Sequence, residues 1–579
     1  HTGTTDHAFM EPECSVALLT PEGRMEVFVG SQIPYEDREQ VAASLGWEED
    51  RVHIKGMLIG GGFGGKEDIT GQIHAALLAW KTQRPVKILF DRRESLTVHV
   101  KRHATQIKVK LGAKNDGTLV SALTELYGDT GAYASLGEAV MTRATTHSSG
   151  PYEIPNVKGD CYAMLTNNIP AGAYRGFGVT QSAFAVESMM DMLAEKLNID
   201  PIEIRKKNAL KEGSITNTGQ VLHESVGLPE CLEKVEAEIK RIAGNDAFKA
   251  SPVEGKPYKK RAWGIAAAYK NTGLGGGTPD IANAEVELYE NGEVEVRSSS
   301  AEIGQGLVTV LQMIVAEELS MPAEKVRVLL SDTDLTPDGG PTTASRQTFM
   351  TGNAAKGAAV ALKNNLINSA AEIFDRPPQE INFQDGKITY DHQAISLDDF
   401  ARELKKLGLE TKALYRYNAP ETKPLGEGGD MHFAFSFAVQ AAEVEVDTRT
   451  GEVKVLKVIA ANDVGTALNP LGLQGQVEGG VMMGLGNAIT ERFLMDTGKV
   501  ITDRMATYRM PSIEHMPEIT SIIVEAPVST GPFGAKGVGE ISSIPTTPAI
   551  TNAIYNAVGV RVDRLPVDQE LIAMQLLSK

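Results

Sequence analysis

At 579 residues, with 42% hydrophobic and 23% charged residues, the chain is long enough for two or more domains and has an ordinary globular composition. Its formal net charge of −18, with no basic block to offset it, excludes general binding to nucleic acid or to acidic membrane surfaces. No apolar run approaches the roughly 18 residues that a membrane span needs. Cys14, Cys161 and Cys231 lie far apart with no CxxC pair, which excludes an iron–sulfur cluster or a cysteine-built zinc site. The three thiols read as free and buried in a reducing compartment, so the expected setting is cytoplasmic. The 11 histidines show no HExxH spacing, so a metal here would not rest on ordinary Cys/His ligands. The chain opens at His1-Thr2-Gly3 without a methionine, and its N terminus is expected upstream or removed.

Along the chain, strand pairs recur on one plan: an alternating run, a glycine turn, a second run, then a polar or glycine-rich segment. The pairs are expected at 15–29 around Glu22-Gly23, 107–126 around Asp116-Gly117, 284–298 around Asn291-Gly292 and 442–458 around Thr450-Gly451. Such turns between alternating runs are strong hairpin signals. Two units in each half suggest a duplicated architecture. Apolar periodicity predicts helices over 68–80, 181–197, 201–209, 228–242, 306–319, 352–374, 474–488, 548–558 and 567–577. The polar, aperiodic stretch 244–260 reads as a boundary, giving domains 1–245 and 260–579. The expected class is α+β, with two large domains of hairpin-rich sheets and packed helices. Glycine-rich loops come from both, so a large ligand is expected at their interface.

The densest of these loops is GGGFGGKE at 60–67, between the apolar run 52–59 and the first predicted helix. Five glycines around Phe63 describe backbone that turns tightly and lies close against something flat or charged. Three ligands fit such a loop. Gly60, Gly62 and Gly65 match GxGxxG, with Asp91 after the next strand-like run, as a dinucleotide site would require. Gly60, Gly65 and Lys66 match part of a P-loop, but Glu67 stands where a hydroxyl should hold magnesium. A large pterin cofactor is the third.

The remaining motifs favour the pterin. GSQ at 30–32, GGGFGGKE, AYRGFG at 173–178, EIGQG at 302–306, TTASRQT at 342–348, GQVEGG at 475–480 and AKGVGE at 535–540 occur in this order. Together they resemble the molybdenum-binding subunit of the xanthine dehydrogenase family, the molybdenum hydroxylases, over nearly the whole chain (7–565). The family's usual N-terminal segment is missing from this chain and is expected on a separate one. The resemblance implies a molybdenum–pterin cofactor, in the cytosine dinucleotide form, whose metal is held by dithiolene, oxo and sulfido ligands with no protein ligand. It implies iron–sulfur (2Fe-2S) and FAD partner subunits in a higher oligomer of the heteromer. It also implies that Gln32 donates to an oxo ligand and that backbone groups of Gly61, Phe63, Ile303, Gly304 and Gln305 meet the cofactor. Arg175 and Gln476 would anchor the pterin end, and Ala344 and Ser345 would approach it closely.

By the same resemblance Glu540 is the general base for hydroxylation of an electron-poor carbon with water-derived oxygen, a step that needs an ionised carboxylate. Glu67 and Arg143 match the family's purine-binding glutamate and its charge-stabilising arginine, and Phe177 would stack on the ring. This set suits a purine-like N-heterocycle better than an aldehyde, the alternative within the family. A non-catalytic dinucleotide-binding protein is the alternative outside it. A carbon monoxide dehydrogenase would carry cysteine where Gly176 stands. The animal-type xanthine enzymes have a second stacking aromatic after a Gly-Ile pair, whereas this chain reads Gly264-Ile265-Ala266-Ala267-Ala268-Tyr269. The ring clamp is thus expected to be open on one side unless Tyr269 closes it, with a flexible glycine loop at 273–277 nearby.

Overall fold

Turn glycines set the four hairpins: Gly23, Gly117, Gly292 and Gly451 all take φ between 73° and 85°, a conformation that costs glycine nothing. The structure, a computed structural model, describes residues 1–578. The first sheet contains β1 (Cys14–Leu19), β2 (Met25–Val29), β3 (Val52–Gly56) and β4 (Val86–Leu89), in the order β3-β2-β1-β4. The second contains β5 (Ala104–Ala113), β6 (Leu119–Gly131) and β7 (Asn156–Leu165), in sequence order. The C-terminal half begins with β8 (Ser251–Val253), β9 (Lys256–Thr272), β10 (Ile281–Leu288), β11 (Val294–Ser298) and β12 (Val326–Leu330). A small meander follows in β13 (Asn382–Gln384), β14 (Lys387–Tyr390) and β15 (Gln393–Ser396). Next come β16 (Lys412–Asn418), β17 (Ala434–Asp447), β18 (Val453–Asp463), the short pair β19 (Met495–Asp496) and β20 (Lys499–Val500), and β21 (Glu518–Val524). They form sheets ordered β12-β11-β10-β16 and β21-β18-β17-β9-β8.

All four expected hairpins are present, as β1–β2, β5–β6, β10–β11 and β17–β18. What periodicity did not reveal is their common continuation. In each unit the second strand crosses over to a third that pairs with it in parallel: β2 with β3, β6 with β7, β11 with β12 and β18 with β21. The crossovers contain the helices Pro34–Leu45, Gly137–Thr146, Leu307–Glu318 and Pro470–Leu485. Proline opens the first and last of these, where its missing N–H costs nothing.

This sheet order removes the dinucleotide reading. β3 and β4, which flank the glycine loop and its helix, lie at opposite edges of their sheet, and β4 pairs antiparallel with β1. Asp91 caps the helix Arg92–Val98, accepting from Glu94 N–H, so it is not a ribose ligand.

The nine predicted helices all appear, with shifted ends. That expected from 68 starts at Gln72, because Asp68 instead accepts a 2.7 Å hydrogen bond from the Ser135 hydroxyl. That expected from 352 starts earlier, at Gln347, so TTASRQT runs directly into it. The crossover helices Pro34–Leu45 and Gly137–Thr146 were not predicted, and neither was Leu397–Leu407. No described helix is long and apolar enough to cross a membrane. The three cysteines are free, with Cys231 buried and Cys14 and Cys161 half-buried.

The long strand β9 lies in the five-stranded sheet, between two packed layers. Helix Thr546–Val558 covers one face and helix Leu228–Ala243 the other. Gly264 and the alanines after it let the first of these approach closely. A Cβ at Gly264 would come within 2.2 Å of Ala553 N and 2.3 Å of Ala549 O. Gly264→Ala is therefore expected to cost about 1–3 kcal/mol by overpacking, seen as a lower first unfolding transition in calorimetry.

Candidate active site

The four units deliver their loops to one cavity of about 930 Å³. Of the site residues that the family resemblance implies, all but Arg143 line it: Gln32, Gly61, Phe63, Glu67, Arg175, Phe177, Ile303, Gly304, Gln305, Ala344, Ser345, Gln476 and Glu540.

The 60–67 loop is built by close approach. Gly61 and Gly64 take φ of 93° and 97°, and Phe63 takes 55°. A Cβ on Gly62 would meet Gln32 Oε1 at 2.4 Å. That oxygen accepts from Gly64 N–H at 3.1 Å, while Gln32 Nε2 donates to Thr342 O at 2.6 Å and to Glu67 Oε1 at 3.2 Å. Gln32 therefore ties the first sheet's loop to the 342–348 segment. Lys66 is buried and donates to Glu11 Oε2 at 2.6 Å, outside the cavity lining. A P-loop lysine would have to reach a phosphate there.

Glu540 ends a loop anchored from below by a buried ion pair. Lys536 Nζ lies 2.6 Å from Asp463 Oδ2, with both side chains at 0% exposure. Lys536 also donates to Ser225 O, and Asp463 accepts from Gly227 N–H and Gly465 N–H. Gly537 then passes so near Ser345 that a Cβ would sit 1.6 Å from its carbonyl oxygen. The Glu540 carboxylate is held by three donors: Gly176 N–H at 3.1 Å on Oε1, and Ser345 Oγ at 3.1 Å and Lys270 Nζ at 3.0 Å on Oε2.

Glu67 and Glu491 also line the cavity, and the surroundings of Glu67 differ from those of Glu540. Burial raises Glu67 well above the usual carboxylate range, Thr343 pulls it back, and the charge of Glu540 adds to the rise. The neutral form is thereby favoured relative to an exposed glutamate. Arg175 binds Gly539 O and Ser542 Oγ and reaches Gln476 O at 3.1 Å, linking AYRGFG to AKGVGE and GQVEGG. Burial pulls its pKa down to about 10, against the attraction of Glu540.

Arg143 is placed outside the lining. Its guanidinium donates to Leu274 O at 2.7 Å and contacts His432 Nε2 at 2.7 Å. Burial brings its pKa down to about 10, and Glu540 opposes the fall. The 273–277 loop is packed rather than open: a Cβ at Gly275 would sit 2.1 Å from His432. Tyr269 does not close the ring clamp. It is buried against His147 and Phe435, and its hydroxyl donates to Thr146 O.

The expectation for Gly304 also changes. Its N–H donates to the Glu302 carboxylate, which accepts from Gly306 and Val308 as well. The Gly61, Phe63 and Gln305 N–H groups have no partner among the described residues. Helix Pro470–Leu485 presents Gly472, Gly475, Gln476, Gly479, Met482 and Met483 to the cavity, the three- and four-residue spacing of one helical face. A Cβ added at Gly475 or Gly479 would meet nothing within 4 Å, so a flat group could lie on that face. Ala344 and Ser345, at φ 49° and 51°, are strained non-glycine positions of the kind found at ligand sites. Sequence reasoning missed Lys270, His147 and His432 behind Glu540, and the Asp463 anchor. Lys536 and Asp463 sit inside AKGVGE and NDVG, but nothing in either motif says that they pair.

Two models of a molybdopterin cofactor-binding domain match the chain, over residues 1–209 and 233–517. A probable xanthine dehydrogenase subunit of Bacillus subtilis (strain 168) is 34% identical over 97% of this chain and 74% of its own length. A nicotinate dehydrogenase large molybdopterin subunit of Eubacterium barkeri is 47% identical over 41% of this chain and 56% of its own length. The aldehyde oxidoreductase structure from Desulfovibrio gigas superposes with a TM-score of 0.89 at 30% identity, covering 100% of this chain and 60% of that one. The fold and cavity thus define a molybdopterin-binding chain. It belongs to the molybdenum hydroxylase family of the xanthine dehydrogenase and aldehyde oxidoreductase type, whose members are molybdenum oxidoreductases. The site fits the cofactor: the free N–H groups, the flat helix face and the strained pair line one cavity. Among the described residues no cluster of three or more His, Cys, Asp and Glu could hold a metal.

Removing one member of the Lys536–Asp463 pair leaves the other charged and buried. Asp463→Asn is expected to cost roughly 3–5 kcal/mol, and the double variant Asp463→Asn/Lys536→Met to recover more than half of it, by chemical or thermal unfolding.

Proposed function

We propose that this chain is the molybdenum subunit of a hydroxylase that oxidises an electron-poor carbon of a purine-like N-heterocycle. One observation carries the proposal: of the carboxyl groups that line this one cavity, Glu540 and Glu67 have opposite surroundings. Glu540 is ion-paired with Lys270, and burial raises the Glu67 carboxyl well above the usual range, favouring its neutral form. Divergent environments of this kind assign a base and a hydrogen-bond donor. The 47% identity to a protein named for nicotinate supports a heterocycle.

When bound, the molybdenum–pterin supplies the oxygen-transfer and two-electron chemistry. The chain's residues do the rest. Glu540 takes a proton at its carboxylate. Glu67 donates a hydrogen bond to a ring nitrogen or carbonyl, and Phe177 stacks on the ring. Arg143 puts positive charge behind the wall, where it favours negative charge building up on the heterocycle. Gln32 fixes the glycine loop, whose N–H groups with Gln305 would meet the cofactor, and Arg175 and Gln476 would hold its pterin end. The cytosine dinucleotide form, the iron–sulfur and FAD partner subunits and the division into domains 1–245 and 260–579 belong to the same reading. The matched models, on either side of 210–232, support a two-domain chain.

An aldehyde oxidoreductase is the second reading, favoured by the superposition on the Desulfovibrio gigas enzyme. The two are separated by adding hypoxanthine, xanthine, nicotinate or benzaldehyde to the purified complex under argon and following bleaching of its iron–sulfur absorbance. Bleaching by a heterocycle is the expected result, and bleaching by the aldehyde alone would overturn the substrate assignment. Glu540→Gln is expected to keep its molybdenum, measured by elemental analysis, and to lose about 10²–10⁴-fold in turnover. Arg143→Ala should lower heterocycle turnover roughly tenfold more than aldehyde turnover; equal losses would reduce Arg143 to a structural role.

A further inference from the structure

Behind Glu540 lies a buried charge that no motif announced. Strand alternation on β9 puts Ala268 and Lys270 on one face and Tyr269 on the other. Ala268 packs with Ile541 and Ile544 beside the catalytic loop, and Tyr269 enters the opposite core. Lys270 therefore points at Glu540. Its side chain is 2% exposed, and its Nζ sits 3.0 Å from Glu540 Oε2 and 2.9 Å from Asn271 Oδ1. An ammonium buried this deeply is costly unless paired, and Glu540 is its only carboxylate partner among the described residues.

We propose that Lys270 is the positioning residue of the general base: it holds Glu540 through Oε2 in one orientation and in its anionic form, leaving Oε1 to receive the proton. The proposal rests on Glu540 acting as the base. Oε2 already accepts from Lys270 and Ser345, whereas Oε1 accepts only from Gly176 N–H and keeps a lone pair. The proton of the reacting hydroxyl goes to Oε1, and the carboxyl becomes neutral. Lys270 then faces no countercharge in a buried site, which favours passing the proton on.

The other charged groups around the pair fit this division. Arg143 and Arg175 add positive charge and are both tied to protein carbonyls. His147 and His432 are pushed well below the usual histidine value, by burial first and then by Arg143, so they stay neutral and do not compete for the carboxylate. Burial raises the Glu67 carboxyl well above the usual range and favours its neutral form. Burial lowers the Lys270 value, and Glu540 pulls it back up. Lys270 is thus the cation in direct contact with the base.

The test uses the holoenzyme complex with Lys270→Met, Lys270→Gln and Lys270→Arg. Loss of the cation leaves Oε2 with the Ser345 hydroxyl and Oε1 with the Gly176 N–H as direct donors, so the charged carboxylate loses its one cationic contact. The acid limb of kcat/KM is expected to move up by about one pH unit or more in the Met and Gln variants. Their kcat should fall more than KM changes, with molybdenum content normal. Lys270→Arg should keep the wild-type limb. An unmoved limb in the Met and Gln variants, or equal behaviour of all three, would overturn the proposal. The same carboxyl is followed without turnover by pH-difference infrared spectra, with Glu540→Gln as reference. If Lys270→Met fails to fold, the Gln variant carries both measurements. If Glu540→Gln retains turnover, the base assignment fails, and the infrared titration still decides whether Lys270 holds the carboxylate ionised.

Discussion

The chain has to leave the second strand of each hairpin and return beside it in parallel, and this constraint gathers the site. Parallel neighbours end at the same edge of a sheet, so the loops after the second and third strands share one side. Gln32 follows β2, Ile303–Gln305 follow β11 and Gln476 lies in the crossover after β18. The glycine loop follows β3, AYRGFG follows β7, TTASRQT follows β12 and AKGVGE follows β21. Residues more than five hundred positions apart thereby line one cavity, each on a loop set by a short rigid sheet.

These loops are then locked by contacts that only small residues allow. Gly62 accommodates Gln32, Gly64 accommodates the backbone at Ala173, and Gly537 accommodates Ser345. Phe63, Phe177, Ala344 and Ser345 pay for the same crowding in backbone strain, at φ values between 44° and 55°. Such strain costs of order 1–3 kcal/mol per residue and persists where the surroundings over-determine it. The Lys536–Asp463 pair, Arg175 and Gln32 supply those surroundings.

Much of this architecture was legible in the sequence because it is local. Glycine turns between alternating runs marked the hairpins, and the ordered motifs marked loops from all four units that line the cavity. The third strands were not legible: β3 and β12 have five residues each, too few for a period, and their pairing depends on a crossover. Helix Pro34–Leu45 was missed because it is polar on most of its surface. Lys270 was missed because it sits in a run of buried strand residues, and its partner lies 270 positions further on. Arg143 shows the reverse. Its motif suggested a ligand, yet Leu274 and His432 hold it one layer back.

Glu302 occupies the start of helix Leu307–Glu318 with its own carboxylate, taking the amide hydrogens of Gly304, Gly306 and Val308. The chain thus carries a built-in anion where a loop of this shape would otherwise attract one. The turn is held by the chain itself, and free phosphate finds no positive well at those three amides. With those three amides taken, this wall of the cradle selects an incoming group by outline and hydrogen-bond direction instead of by charge.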